Sequence, residues 1–430
     1  MLIETQHIVP WLKKHSERMI SLYGDATEGQ WTRYEDLLRC FQKFFDQPAA
    51  ALFSTPGRSE IGGNHTDHNQ GRVLSAAVHL DSIGLAAPSR EKRVILYSKG
   101  YDPFRVDLND LSPRSGEEGT TRALIRGIVA RLQELGYSIG GLDACISSNV
   151  MVGSGLSSSA SIEVLIADFF NVVYNQGKLP PELLARIGQY AENQYFGKPC
   201  GLMDQLTCAV GGIVTIDFKN QEQPSVDRLS FRFRDFGYQM LVVNTGCGHE
   251  DLTDDYAAVP EEMRRAARAL GGHVLRDIDE ELFFKALPAL RKEAGDRAVL
   301  RAMHFFRENE RVARQADALR QGDFPAFLER VRWSGDSSFR WLQNVINQRN
   351  PMNQGVALGL ALTEKFFEEA GEGACRVHGG GFAGTIQAFM PTKTVSAYVD
   401  RIEKVFGRGS VIRLNIRPFG AWHLEREEAS

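Results

Sequence analysis

Cysteine is scarce. The six residues Cys40, Cys145, Cys200, Cys208, Cys247 and Cys375 include no C-x-x-C pair. They are too few and too scattered for a disulfide framework or a zinc site, so free thiols in a reducing compartment are expected. Long apolar runs are missing too. No stretch of about 18 or more apolar residues occurs, which argues against a transmembrane helix. The opening MLIETQHIVPWLKKHSERM mixes charge and apolar residues where a signal peptide would carry a continuous apolar core. These absences predict a soluble cytoplasmic protein. Charge of one sign is also lacking: 50 Lys and Arg stand against 54 Asp and Glu, a net of −4 without a long basic run. Broad attraction to nucleic acid or anionic membrane is therefore not expected, and an anionic ligand must be met locally. No repeat, low-complexity tract or long Ser/Pro linker interrupts the chain.

What remains is ordinary globular composition, 43% apolar, 10% aromatic and 24% charged over 430 residues, a length that suggests two or three domains, with two as the working number. Residues 9 to 46 carry helical periodicity through Trp11, Leu12, Met19, Ile20, Leu22, Tyr34, Leu37, Leu38 and Phe41. Strand-like runs follow at AALFS, VLSAAVHL, IGLAAPS and RVILYS, then a helix at TRALIRGIVARLQELG stopped by Gly136, and a strand at LDACISSNVMV. Ser157 to Asn175 opens on capping serines before an apolar helical stripe, and PELLARIGQYAENQYFG reads as a helix ended by Gly197. GGIVTIDF, LSFRFRDF and YQMLVVNTG look like strands. Helical periodicity then dominates from about residue 260 to 370, and strands return at TIQAFM and SVIRLNIRPF. The order predicts an α+β architecture with a boundary near residues 215 to 240.

Several motif matches fail on context. GYSIG follows a helix and precedes a strand, the reverse of a nucleophile elbow, and GGGFAG runs into a strand where a dinucleotide fingerprint must open a helix. Asp235-Phe236-Gly237 lacks the other kinase signatures, and no G-x-x-x-x-G-K-[ST] is present. GSGLSSSAS, Gly153 to Ser161, is different: a Gly/Ser loop leads from a strand straight into a helix. Small residues let the backbone approach a phosphate, and the helix N-terminus favours an anion; a Ser-rich cap is the plain alternative. With no lysine in the loop, a nucleotide's charge would need a divalent cation and a distant Arg. PGRSEIGGNHTDHNQGRVL crowds polar side chains into a glycine-rich stretch. Its H-x-D-H lacks a spaced third metal ligand and suits hydroxyl binding better, with a solvated turn as the alternative. In AENQYFGKPCGLMDQLTCAVGG, Glu192 and Asp204 could divide labour, one on a metal and one taking a proton.

In this order the blocks resemble the galactokinase branch of the GHMP small-molecule kinases. That family's G-R-V-N-L-I-G-E-H-T-D-Y-N, P-x-G-G-G-L-S-S-S-A, C-G-I-M-D-Q and G-G-G-F-G-G are matched by GRSEIGGNHTDHN, MVGSGLSSSA, CGLMDQ and VHGGGFAGT, between Gly57 and Thr385. The resemblance implies a two-lobed α+β fold: a helical lead-in over 1–45, an N-terminal lobe over 46–225 and a C-terminal lobe over 226–430, with the active site between the lobes. It implies ATP-dependent phosphorylation of a sugar at its anomeric hydroxyl with Mg2+, the partners being sugar and ATP rather than nucleic acid or membrane. Position by position, Arg58 and Asp204 resemble the catalytic pair, and Ser159 with Glu192 the magnesium ligands. Gly153, Ser154, Gly155, Leu156, Ser157, Ser158 and Ser159 resemble the phosphate cradle, and Asn64, His65, Asp67 and Tyr256 the sugar ligands. Gly379 to Gly381 would support the phosphate end.

The departures bear on the sugar. Asn64 stands where the family has a sugar-contacting Glu, His68 where it has Tyr, and Met151 where it has Pro. Either Glu60 swings in as a substitute carboxylate or the pocket suits another sugar. Galactose is the favoured substrate; an acetamido sugar or pentose, or a catalytically silent sugar and ATP sensor, are the alternatives.

Overall fold

The structure, a computed structural model, describes residues 2–151, 153–246 and 252–424. Val152 of the phosphate loop and the expected free thiol Cys247 lie outside them. The larger sheet contains β1 (Ile3–Glu4), β2 (Ala49–Gly62), β3 (Arg72–Ser89), β4 (Arg93–Ser98), β5 (Phe104–Asp107), β6 (Gly141–Ser148), β7 (Ile213–Asp217) and β8 (Ser225–Leu229). The smaller sheet contains β9 (Tyr238–Asn244), β10 (Ala374–His378), β11 (Thr385–Pro391) and β12 (Val411–Leu414), ordered β10-β11-β9-β12 and antiparallel throughout. β13 (Trp422–His423) then rejoins the larger sheet by pairing with β2. Mixed sheets and helices give the expected α+β class.

The long strands β2 and β3 are buried on both faces, which explains their continuous apolar character. Alternate residues serve different helices. Ala51 and Phe53 face Phe169 and Phe170 of the helix Ser158–Asn175, while Ala50, Leu52, Ile83 and Leu85 face Ile8, Leu12, Tyr34 and Phe41 of the N-terminal helices. The packing is close: a Cβ on Gly84 would come within 2.5 Å of Phe169. Helices Asp296–Gln321 and Phe324–Ser337 cover the smaller sheet and reach the larger one, since Val312, Ala316, Phe327 and Val331 share a cluster with Ile61, Leu74 and Met240. No helix among the described residues is long and apolar enough to cross a membrane.

Three expectations shift. The predicted strand LSFRFRDF is a strand only at its first residue: β8 lies earlier, over Ser225–Leu229, and Phe233–Phe236 forms a 3-10 turn. Phe231 stacks on Phe324, Phe233 meets it edge-on and Phe236 packs at a tilt, so aromatic packing outweighs the extended pattern. The helical lead-in includes a strand, because Ile3 and Glu4 pair with β2. The return of β13 departs from a 226–430 segment that stays in one lobe.

The N- and C-terminal segments meet at Asp81, which is fully buried on β3. It accepts from Arg33 Nη1 at 2.8 Å, Tyr23 Oη at 2.6 Å and Arg417 Nη1 at 3.2 Å, and from the Ser54 hydroxyl. Burial alone would raise its pKa, but Arg33 and Arg417 outweigh that and keep it below the ordinary carboxylate value. Removing one partner of such a cluster strands buried charge. Asp81→Ala is expected to cost on the order of 3 to 5 kcal/mol, read as a lower urea midpoint at unchanged m.

Candidate active site

A register shift in the β2–β3 pairing falls between Pro56 and Arg58. Such a bulge re-aims a side chain, and here it skips Gly57 just before Arg58, which pairs with Ala77 of β3 while its side chain reaches the phosphate loop. Arg58 N donates to Leu156 O at 3.0 Å. Gly57 allows this approach, since a Cβ there would lie 2.7 Å from the same oxygen. The Arg58 side chain then donates from Nε and Nη2 to Asp204 Oδ1 and Oδ2, both at 2.7 Å, and from Nη1 to Gly155 O. Two-point pairing of this kind is strong and fixes geometry. Asp204 opens the helix Met203–Val210, keeps 30% of its side chain exposed and also accepts from Ser157 Oγ. Burial pushes its carboxyl up; Arg58 and Ser157 more than offset this and hold it below its usual range. The expected catalytic pair is thus assembled and ionised.

Ser157 caps the helix Ser158–Asn175 in a left-handed conformation, φ 57°, rare for a side chain bearing a Cβ. Gly155, φ 70°, leaves no room for one: it would meet His378 Nδ1 at 2.8 Å. Gly153, Gly155, Ser157, Ser158 and Ser159 present an accessible surface, whereas Ser154 and Leu156 are fully buried. Ser154 Oγ donates to Met151 O at 2.6 Å, so these two can offer a phosphate only backbone. Ser159 Oγ lies 3.3 Å from Glu192 Oε1, itself 2% exposed. A hydroxyl facing a carboxylate is a donor set that fits Mg2+, and no larger His/Cys/Asp/Glu cluster occurs among the described residues, so phosphate and water oxygens would complete the shell. The sequence reading missed Lys198, whose Nζ is 3.3 Å from the same Glu192 oxygen. Its position just past Gly197 was the only signal.

The sugar loop behaves differently. His65 Nε2 donates to Gly380 O at 2.9 Å, and burial lowers its pKa to about 4, so the ring is neutral. Tyr256 Oη donates to Gly381 O at 2.8 Å. Asp67 faces the turn before Asp204, its Oδ2 only 2.0 Å from where a Gly201 Cβ would sit. Asn64, however, is fully buried. Its Nδ2 donates to Glu60 Oε1 at 3.0 Å and Gly379 O at 2.7 Å, and its Oδ1 accepts from Asn344 Nδ2 at 2.8 Å and Ser338 Oγ at 3.3 Å. No donor or acceptor remains for a sugar, which corrects the expected contact. Nor can Glu60 swing in, because it is buried against Arg376 at 2.8 Å. The glycine turn touches both loops: Gly379 holds Asn64, and a Cβ on it would be 3.7 Å from Gly155 Cα.

Under the loop, Glu308 takes Gly63 N–H at 3.0 Å and Ser334 Oγ at 2.6 Å, and pairs with Arg311. Burial opposes its charge, but Arg311 and its other partners bring it from 4.5 to about 2. A depressed carboxylate contributes stability that is complete above the unfolded value and lost as pH falls through the folded one. Glu308→Gln should therefore cost about 3 kcal/mol at neutral pH and progressively less from about pH 4.5 toward 2, measured by urea midpoints. Asn64→Glu would press a second carboxylate against Glu60 and Gly379 O. It is expected to destabilise the fold by about 1 to 3 kcal/mol, and an unchanged midpoint would mean that position 64 faces outward.

Two family models match the chain: the galactokinase galactose-binding signature over residues 39–88, and the GHMP kinases N terminal domain over residues 123–212. The first contains Arg58 to Asp67, the second the phosphate loop, Glu192 and Asp204. Among solved structures, Lactococcus lactis galactokinase complexed with galactose is 24% identical, with TM-score 0.76, over 91% of this chain and 99% of that one. Methanococcus jannaschii mevalonate kinase shares the fold at 16% identity and TM-score 0.60, over 85% of this chain and 98% of that one. A D-glycero-D-manno-heptose 1-phosphate kinase from Bacteriodes thetaiotaomicron does so at 16% and 0.56, over 88% and 100%. The chain thus carries a galactokinase galactose-binding signature and a GHMP kinases N terminal domain, on a fold that it shares with galactokinase and mevalonate kinase.

Proposed function

We propose that this protein transfers the terminal phosphoryl group of ATP to the anomeric hydroxyl of a galactose-configured sugar, working in the cytoplasm. The site would lie in a cleft between a lobe over 46–225 and a lobe over 226–430 whose last strand returns to the first, behind the lead-in over 1–45. The observation that carries this reading is the two-point Arg58–Asp204 pair, which keeps an ionised carboxylate beside the phosphate loop with one side open. Asp204 orients and polarises the attacking hydroxyl and accepts its proton. Arg58 keeps Asp204 ionised and offsets charge on the transferring group, since phosphoryl transfer rests on positioning and electrostatics. Magnesium-ATP supplies the phosphoryl group, and Ser159 and Glu192 are the residues that would hold the metal. His65 gives its Nε2 proton to Gly380, which leaves Nδ1 as an acceptor for a sugar hydroxyl; Asp67 and Tyr256 would complete the sugar side.

A kinase for another sugar is the second reading, and the interior amide of Asn64 favours it: one charged sugar contact of the galactokinase pattern has no counterpart here. ADP release measured across a panel of monosaccharides separates the two. Galactose should give turnover, and Asp204→Asn should lower kcat by about 10²- to 10⁴-fold with ATP binding kept. Turnover of a different sugar alone supports the second reading, sugar binding without ADP release a silent sensor, and near-normal turnover in the variant removes Asp204 from the mechanism.

A further inference from the structure

On the face of the larger sheet turned away from the helix Ser158–Asn175, a cavity of about 310 Å3 opens between the helix Gln30–Phe44, β4 and the end of β6. Its wall includes Cys40, Lys43, Tyr97 and Lys99. The Cys40 sulfur lies 3.7 Å from that of Cys145, which is buried on β6 directly behind it. Both are free thiols.

We propose that Cys40 and Cys145 are an oxidisable pair, closed into an intrachain disulfide by a peroxide that enters through this cavity. To bond, the sulfurs must close from 3.7 Å to about 2 Å by rotation of the two side chains. Cys40 is the thiol that a peroxide reaches first, because it lines the cavity while Cys145 is enclosed. Burial raises both thiols; the neighbouring Cys145 offsets this in part at Cys40, with smaller help from Tyr97, Lys43 and Lys99. In the first step the Cys40 sulfur attacks one peroxide oxygen. The O–O bond breaks, water leaves, and Cys40 becomes a sulfenic acid. In the second, the Cys145 sulfur attacks that of Cys40, the S–O bond breaks, and the hydroxyl departs as water with the Cys145 proton. Two thiols lose two electrons and one peroxide is reduced to two waters.

The bond would tie an N-terminal helix to the strand that feeds the phosphate loop, closing a loop of 105 residues. Long loops gain the most from such closure in the chain-entropy view. The pair stands apart from Arg58 and Asp204, so the kinase reading does not depend on it.

The test uses the full chain, treated with hydrogen peroxide while folded, alkylated and digested without reductant. The expected result is a cross-linked peptide joining Cys40 to Cys145, the loss of two hydrogen atoms in intact mass, and a rise in Tm of several degrees, all reversed by dithiothreitol and absent in Cys40→Ser. Cys145→Ser should instead trap Cys40 as a sulfenic acid that dimedone labels. Alkylation of both residues after peroxide, a cross-link through other cysteines, or a Tm rise that persists in Cys40→Ser would overturn the proposal.

Discussion

The buried pair between Glu60 on β2 and Arg376 on β10 is the contact on which the arrangement of the site depends. It joins a strand of the larger sheet to one of the smaller sheet, with Arg376 fully enclosed and Glu60 4% exposed. Neither charge can be left behind in such an interior, because an unpartnered buried ion costs several kcal/mol. Once this pair is fixed, its neighbours have little choice. Arg58 sits two residues before Glu60, Asn64 four after, and the glycine turn follows Arg376. Gln387 on β11 reinforces the junction by donating to Glu60 O at 3.0 Å and Ser59 Oγ at 2.7 Å. His378 spans the same seam from Ser59 Oγ, at 3.0 Å, to Thr385 Oγ1, at 2.9 Å.

Desolvation and pairing divide the titratable groups of this region into two kinds. His65, His304 and His378 are driven toward the neutral form, chiefly by burial. They act as fixed hydrogen-bonding hinges between backbone and hydroxyl groups. Glu163, beside Glu192, is pushed well up by burial and by its neighbour's charge. Charged groups here stand in pairs: Arg58 with Asp204, Lys198 with Glu192, and Glu60 with Arg376, although burial raises the Glu60 carboxyl above its ordinary value in spite of Arg376. The first two pairs lie around the phosphate loop and the third closes the wall behind it, so the field at the loop is set by fixed groups.

What the sequence made legible was local. GSGLSSSAS could be read because strand, loop and helix follow one another within a few residues, and Arg58 and Asp204 stood out as chemistry-bearing residues in glycine-flanked stretches. What it hid depends on contacts across the whole chain. Glu60 and Arg376 are 316 residues apart, and nothing near Arg376 marks it as a partner. Asn64 is expected at the sugar because it takes the place of a sugar-contacting Glu in the resembled motif, and a motif position reads the same whether the side chain faces a ligand or an interior amide network. FRFR, residues 231–234, alternates like a strand, but aromatic packing around Phe324 decides its conformation. Buried Ser154 and Leu156 sit in the phosphate motif for packing as much as for binding.

The final described residues leave the smaller sheet and return to the larger one. Ile416 bridges to Val78, Arg417 reaches Ser54 and Asp81, and Trp422–His423 pair with β2. The polypeptide therefore passes between the two sheets twice, once outward after β8 and once back after β12. The smaller sheet is thus an insertion held at both ends. Arg58 on one sheet and the glycine turn on the other belong to segments that no single break of the chain between β8 and β12 would part.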